Sequence, residues 1–516
     1  MTTAAKRAEM NAVSALAGPP SSNAGAMPVG ADPVRWPPWA FVFAFCLLLY
    51  VVHAAVAIAA GRHLFLDGSW YLVRLLSDGW PISFYSDLLT EFYYSRLSAV
   101  WATQWPSVLY LRLGGDSLAV SSWLFGASMF GAKIVLLLVS LWILRPEHRQ
   151  LIVFPLLSLF AGTIGADPVI ISEAHFAAGL LWPLLFAASG VARSTAAPVG
   201  VVALCGALAP LTYESFLFFG PILMLGAVAG VRATDRSARL NALLAGLSGL
   251  ASTVISAASV AFPRDTINRG SFRAGLENVL RDMVAPGAEI FVPVLLATVA
   301  LAGVVLALLA SRTRFRGAAA TAVLLPFLVF LLLFPIGYSA LRPPALAFPQ
   351  SYLGRSLTLV LIPAGLALLC LLHVRRTDGL RTAFLTASFT VLPALAAGQV
   401  GHQLMLTGVW ARSASVLADA LGSRRGRIAC EEIAASASTR GLTAEQFRHA
   451  VCAWPVAPLS LLVQQPAGPQ SVAFADVAFQ PFDTRDGSGL PSLRFVRVPL
   501  DRLRASLDEA AAIGPR

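Results

Sequence analysis

Apolar residues in this chain run in long unbroken stretches, not in the two-residue alternation of a strand or the one-sided stripe of a water-facing helix. Scanning for about 20 consecutive apolar residues, the length that crosses a bilayer core, predicts helices near 37–60, 117–144, 150–166, 174–192, 197–211, 215–231, 241–262, 290–311, 317–338, 356–373 and 382–400. The expected fold class is an all-α polytopic membrane protein with about eleven transmembrane helices. Residues 401–516 regain charge and show short apolar alternations at 460–464, 471–475 and 493–499, which predicts a small α/β extracytoplasmic C-terminal domain. Residues 1–36 are rich in Ala, Gly, Pro and Ser without apolar periodicity and read as a disordered cytoplasmic tail. The first run is too long for a cleaved signal's apolar segment of about 7 to 15 residues, so it reads as a retained helix.

Charge gives the pattern a direction. Arg145 and Arg149, Arg193, Arg232, Arg236 and Arg239, Arg312, Arg314 and Arg316, and Arg375, Arg376 and Arg381 fall in alternate short connections. The positive-inside rule puts those turns in the cytoplasm. An odd helix count then leaves the N-terminus cytoplasmic and the C-terminus outside, in a multi-pass protein of the inner (plasma) membrane. The remaining connections hold most of the loop length, at 61–116, 263–289 and 339–355, so the working face is expected outside. Within the first loop, residues 84–104 have the spacing of a helix lying on the membrane surface, and 97–113 read as too short for a further span.

Composition narrows the class. Hydrophobic residues make up 57% of the 516-residue chain and charged ones only 13%, too few to coat several soluble domains. The net charge of +11 rests almost entirely on Arg, since lysine occurs only at Lys6 and Lys133. Its placement in short turns speaks for topology and against nucleic acid as a partner. Cys46, Cys205 and Cys370 fall in predicted spans. Cys430 and Cys452 are the pair in the outer segment, as a disulfide in an oxidising compartment or as two buried thiols.

No phosphate-binding loop, dinucleotide fingerprint, HExxH or paired CxxC occurs, so no cofactor is expected and candidate chemistry moves to the outer loops. Directly after the first helix, Asp67, Trp70, Tyr71 and Arg74 share one face if residues 68–77 are helical. A carboxylate among aromatic rings and Arg suits a general base facing a phosphate leaving group. Asp67 suits equally the N-cap of that helix, with the aromatics as an interfacial belt. Position alone nominates Glu91 and Arg96 on the surface helix, Glu173 and His175 at the outer end of a span, Glu214 in a turn between apolar runs, and Tyr352 and Arg355 at an outer entry to a span. The two short predicted spans, 151–166 and 198–211, lead toward Asp167, Glu173 and Glu214, so an outward-facing pocket is expected beside them. Lys133, deep in the second span, is expected to pair with a carboxylate of the bundle. Trp410, Arg412 and Trp454 suit core packing or contact between the outer segment and the membrane.

The many spans, the long first outer loop with Asp67 just after the first helix, the juxtamembrane helices in that loop and the C-terminal outer domain resemble the GT-C superfamily of membrane glycosyltransferases. The resemblance implies a polyprenyl-phosphate-linked sugar donor, an envelope glycan or lipid acceptor, membrane lipids as surroundings, and Asp67 as catalytic acid residue. The chain lacks the Asp-x-Asp or Asp-x-Glu pair that some members use, which implies no metal. Two other classes fit the same architecture: a transporter or flippase for a lipid-linked or small solute, and a non-catalytic scaffold of an envelope-assembly complex.

Overall fold

The structure is a computed structural model that describes residues 37–65, 67–78, 96–164, 173–233, 235–262, 277, 357–374, 379–422, 426–452, 456–463 and 473–476. It is mostly helical. In chain order the first elements are α1 (Pro38–Ala59), α2 (Asp67–Asp78), α3 (Leu97–Arg112), α4 (Leu118–Ile143), α5 (Val153–Leu157), α6 (Glu173–Ala188), α7 (Ala196–Leu208), α8 (Phe216–Gly230) and α9 (Arg236–Ala261). Then come α10 (Ile362–Val374), α11 (Gly379–Gly422), β1 (Gly426–Ala429), α12 (Cys430–Ala435), α13 (Ala444–Val451), α14 (Val456–Val463) and β2 (Ala473–Asp476). The expected tail 1–36 and the expected spans 290–311 and 317–338 lie outside the described residues.

Among the described helices, α1, α4 and α9 are long and apolar enough to cross a membrane. α9 shows why this pattern calls for lipid and not water. Leu240, Leu243, Leu247, Leu250 and Val254, spaced three and four apart, are exposed, while Asn241, Ala242, Ala245, Ser248, Gly249, Ser252 and Ser256 are buried. A water-facing helix buries its leucines. Here small and hydroxyl residues form the packed side and large apolar ones the outer side, as lipid requires. The same inversion holds on α1, where Phe41, Phe45, Leu48, Val51, Val52 and Val56 are exposed around a buried Tyr50 and His53.

Small residues let α8 and α9 cross closely. A Cβ at Gly220 would stand 2.4 Å from the Gly249 carbonyl oxygen, and one at Gly249 would stand 2.8 Å from the Gly220 carbonyl oxygen. Neither backbone can yield without separating the helices.

Three expectations change. The run 150–166 is not one regular helix: a 3-10 segment (Pro146–Ile152) leads into α5 and then a π-helical segment (Ser158–Thr163). Residues 151–164 are buried throughout, and irregular backbone at that depth persists only where its polar groups are satisfied within protein. Gln403 donates to the Ile164 carbonyl oxygen at 2.9 Å. The stretch 97–113, read as too short to span, forms α3, which is not among the described helices long and apolar enough to cross a membrane; it packs along α4, with Ser107 Oγ donating to the Ser121 carbonyl oxygen at 3.0 Å. Pro106 lies inside this helix and does not end it; residues 84–95 of the expected surface helix lie outside the described residues. The helix expected at 382–400 runs on to Gly422. Residues 401–422 mix polar with apolar positions, yet Gln403, Leu406, Trp410, Ser413, Leu417 and Leu421 are buried at helical spacing, a pattern invisible to a scan for unbroken hydrophobicity.

The third change concerns 460–464: residues 460–463 end α14 and are not a strand. β2 does cover 473–476, pairing parallel with β1 from Gly426↔Ala473 to Ala429↔Asp476; residues 493–499 lie outside the described residues. Cys430 and Cys452 are joined in a disulfide, Cα to Cα 5.7 Å, which ties the start of α12 to the end of α13. Trp410 is core: its indole N–H donates to the Ala60 carbonyl oxygen at 3.0 Å and its ring meets Phe65 edge-on at 5.5 Å. This fixes α11 to the end of α1, just before α2.

Candidate functional site

α2 begins where the chain turns back from α1. Gly68 N–H donates to the Phe65 carbonyl oxygen at 3.2 Å, and a Cβ at Gly68 would fall 1.7 Å from the His63 carbonyl oxygen. Only glycine allows that approach, so the start of α2 is pinned. Beside it His63 Nε2 lies 2.8 Å from Ser122 Oγ on α4, and burial pulls the imidazole down to about 4. His63 is therefore neutral at physiological pH and locks loop to bundle without charge.

Helix α2 covers the expected 68–77, so Asp67, Trp70, Tyr71 and Arg74 fall at positions i, i+3, i+4 and i+7 of one face. Asp67, Trp70 and Arg74 are placed by the helix backbone. Tyr71 is placed in detail: its phenol donates to Glu173 Oε1, the first residue of α6 and a position 102 residues later in the chain. Glu173 is 4% exposed, and its second oxygen, Oε2, is buried with no hydrogen-bond partner among the described residues.

A second pair stands next to the first. Arg96, just before α3, donates from Nε to Glu214 Oε1 at 3.3 Å, and its guanidinium lies 4.8 Å from the centre of the Tyr213 ring. Burial would lower the Arg96 pKa, but Glu214, Tyr213, Glu173 and Tyr71 around it hold it well above its ordinary range. Those four named influences define one cluster built from α2, the start of α3, the start of α6 and the turn before α8. Chemically it presents a fixed cation, two carboxylates and two phenols in a half-buried setting, which can hold a hydroxylated or phosphorylated ligand and take up a proton.

Tyr71, Arg96, Glu173 and Glu214 are thus brought together from the sequence candidates. His175, two residues beyond Glu173, is 3% exposed and faces a different space. It lines a cavity with Lys133, Leu137, Ser140, Pro155, Ser158, Leu159, Thr163, Ala178, Gly179 and Trp182. This hollow lies beside the irregular segment 151–164, one of the two short spans next to which a pocket is expected. The Lys133 ammonium there stands 5.6 Å from the Phe130 ring centre. Glu91, Asp167, Tyr352, Arg355 and Trp454 lie outside the described residues. Sequence reasoning passed over Tyr213 and Trp182. A usable signal existed for the cavity: Lys133, Leu137 and Ser140 at i, i+4 and i+7 put two polar groups on one face of an otherwise apolar span.

Among the described residues no group of three His, Cys, Asp or Glu side chains is placed to hold a metal ion. No protein-family model, curated protein or solved structure matches this chain.

Proposed function

We propose that this protein is a GT-C-type glycosyltransferase of about eleven spans. It moves a sugar from a polyprenyl phosphate carrier to an envelope glycan or lipid acceptor on the outer face of the inner membrane. The observation that carries the reading is the meeting of the first-loop helix, through Tyr71, with Glu173, Arg96 and Glu214 at one end of the bundle. In this reading the N-terminus is cytoplasmic and the C-terminal part from 401 is an extracytoplasmic α/β domain. The Cys430–Cys452 disulfide supports that side, because disulfides persist in oxidising compartments, and the parallel β1–β2 pair beside short helices supports an α/β unit.

The mechanism follows from the donor's chemistry. The isoprenoid tail stays in lipid and the anomeric carbon sits at headgroup level beside α2. Asp67 takes the proton from the acceptor hydroxyl as its oxygen bonds to that carbon. The bond from carbon to phosphate oxygen breaks, and polyprenyl phosphate leaves with the electron pair. Arg96 and Arg74 offset the charge that develops on the phosphate, Arg355 and Tyr352 guide the carrier, and Trp70, Tyr71, Glu91, Glu173 and Glu214 hold sugar and acceptor. No metal is required in this scheme.

The test is sugar transfer from a labelled polyprenyl phosphate donor by the full-length protein in liposomes. Asp67→Asn should lower transfer by about 10²-fold or more, the usual worth of a general base, with insertion into the membrane unchanged. Undiminished transfer would remove Asp67 from the mechanism, and no transfer by the unaltered protein from any polyprenyl phosphate sugar would remove the reading.

A transporter for a lipid-linked or small solute is the second reading. The cavity reaching Lys133 within a membrane-length helix favours it. Counterflow of labelled solute in proteoliposomes, with no covalent product formed, would select it.

A further inference from the structure

The end of the bundle away from the candidate site is built as a cationic surface. α6 starts in that site at Glu173 and runs 16 residues, roughly 24 Å, to Ala188. There the chain pairs with the end of α4. Arg145 N–H donates to the Val191 carbonyl oxygen at 3.1 Å and Arg193 N–H to the Ile143 carbonyl oxygen at 2.8 Å, across an antiparallel bridge between Leu144 and Ala192. The turn between α8 and α9 closes on the same spot. Asn241 Nδ2 donates to the Arg193 carbonyl oxygen at 3.4 Å, the Ser194 side chain hydrogen-bonds the Asp235 carboxylate, and a Cβ at Gly230 would fall 2.1 Å from the Ala188 carbonyl oxygen.

These contacts gather Arg145, Arg149, Arg193, Arg232, Arg236 and Arg239 at one end. The carboxylates described among them are Glu147 and Asp235. Glu147 stands 3.8 Å from Arg145, and Asp235 is committed to capping α9, where it accepts from the Ser237 and Ala238 N–H groups. Positive charge is left over. Two guanidiniums are fixed in place: Arg145 donates to the Gly190 carbonyl oxygen, and Arg193 donates from Nε to the Leu144 carbonyl oxygen at 3.2 Å. Each keeps further N–H donors in the same plane. Arg149 Nε is buried with no hydrogen-bond partner among the described residues, while Arg232, Arg236 and Arg239 are exposed. The surface then turns apolar. On α9 the exposed positions Arg236, Leu240, Leu243 and Leu247 follow at i, i+4, i+7 and i+11, one stripe from cation to alkyl. On α4 the exposed Trp142 and Leu138 continue from Arg145 in the same way. A soluble anion or a nucleic acid would meet the arginines and leave the leucines in water. A lipid with a phosphate head and acyl chains meets both.

We infer that this end of the bundle is a binding site for a phospholipid of net negative charge, its phosphate held by Arg145 and Arg193 and its acyl chains lying along α9 and α4. Arginine suits the task because its planar fork meets two phosphate oxygens at once. The surplus of positive charge makes headgroup charge the quantity that the site selects, since the cationic part of a zwitterionic head is repelled where an anionic head is not. The inference does not depend on the sugar-transfer reading, because it uses none of the residues of the candidate site.

Native mass spectrometry of the full-length protein released from detergent tests it, with dioleoyl phosphatidylglycerol in one arm and dioleoyl phosphatidylcholine, which has the same chains, in the other. Binding of phosphatidylglycerol is expected to be about tenfold tighter or more. Arg149→Gln combined with Arg236→Gln and Arg239→Gln touches none of the backbone bonds that close this end, and should bring that preference down about fivefold or more. Lysine at the same three positions should keep most of it. Arg440→Gln, in the C-terminal part, should leave it unchanged. Equal affinity for the two lipids, a preference intact in the triple glutamine variant, or an equal loss in Arg440→Gln overturns the assignment. Displacement of phosphatidylglycerol by equimolar glycerol 3-phosphate would assign a soluble phosphate and overturn the lipid as occupant. Sugar transfer measured on the same preparations reports separately on the proposed function.

Discussion

At the scale of single residues, the candidate site joins the buried pair Tyr71 and Glu173 to the half-buried pair Arg96 and Glu214. Tyr71→Phe removes the donor to Glu173 Oε1 and leaves both carboxylate oxygens without a hydrogen-bond partner among the described residues. Loss of such a bond to a charged group costs about 1–3 kcal/mol, so thermal unfolding in detergent should shift clearly downward. Tyr71→Phe combined with Glu173→Gln should cost less than the sum of the two, because the pair is coupled. His63 gives a pH dependence with a defined sign. An unfolded histidine titrates near 6.5, whereas burial holds folded His63 at about 4. Between those values the unfolded chain binds more protons, so stability is fully present above about pH 6.5 and falls as pH drops toward 4, by up to about 3 kcal/mol. His63→Gln should flatten that part of the stability curve measured by thermal melts from pH 7 to pH 4. Residue identities were legible in the sequence here, since Glu173, Arg96 and Glu214 stand out as charges at the ends of apolar runs. Their partnership was not legible, because 102 and 118 residues separate the bonded positions.

At the scale of elements, two close approaches of backbone decide the geometry. Gly68→Ala would drive a methyl group into the His63 carbonyl and displace the start of α2, so both stability and transfer should drop together, whereas Gly114→Ala, where a Cβ meets nothing within 4 Å but the backbone φ is +88°, should cost stability alone. Gly220→Ala would meet Thr253 Oγ1 at 2.1 Å and the Gly249 carbonyl oxygen at 2.4 Å. Overpacking of this kind costs about 1–3 kcal/mol, readable as a lower melting temperature of the purified protein. Most helix positions could be read from unbroken apolar runs, and α1, α4, α8 and α9 fall close to their expected bounds. The misreadings share one cause: a hydropathy scan registers how apolar a segment is and not which neighbours cover it. The stretch 151–164 is apolar and buried on all sides, so it need not be a regular span, and the second half of α11 is amphipathic, so it escaped notice.

For the whole molecule, the C-terminal elements are attached to the candidate site and not merely appended to the bundle. α11 reaches Ala60 through Trp410, and α14 packs against α2, the helix that begins with Asp67. Replacing Cys430 and Cys452 by Ser should cost about 2–4 kcal/mol of local stability, the common worth of a disulfide, seen as faster proteolysis within 426–476. Truncation after residue 400 should impair folding far more than truncation after 422, because it cuts through α11 and removes the Trp410 anchor. Comparing detergent-soluble yield of the two truncated chains checks this.

Unbroken hydrophobicity and the scarcity of charge already determined from sequence that this chain belongs in lipid, since no soluble fold can bury that much apolar surface with so little polar surface to cover it. Sequence also determined which ionisable residues were costly enough to need a reason, Lys133 and Glu214 among them. Tertiary structure alone decided which of them meet. Whether a buried charge is paired, whether a helix faces lipid or protein, and whether an irregular turn closes a cavity depend on contacts between segments a hundred or more residues apart, and no local periodicity encodes those.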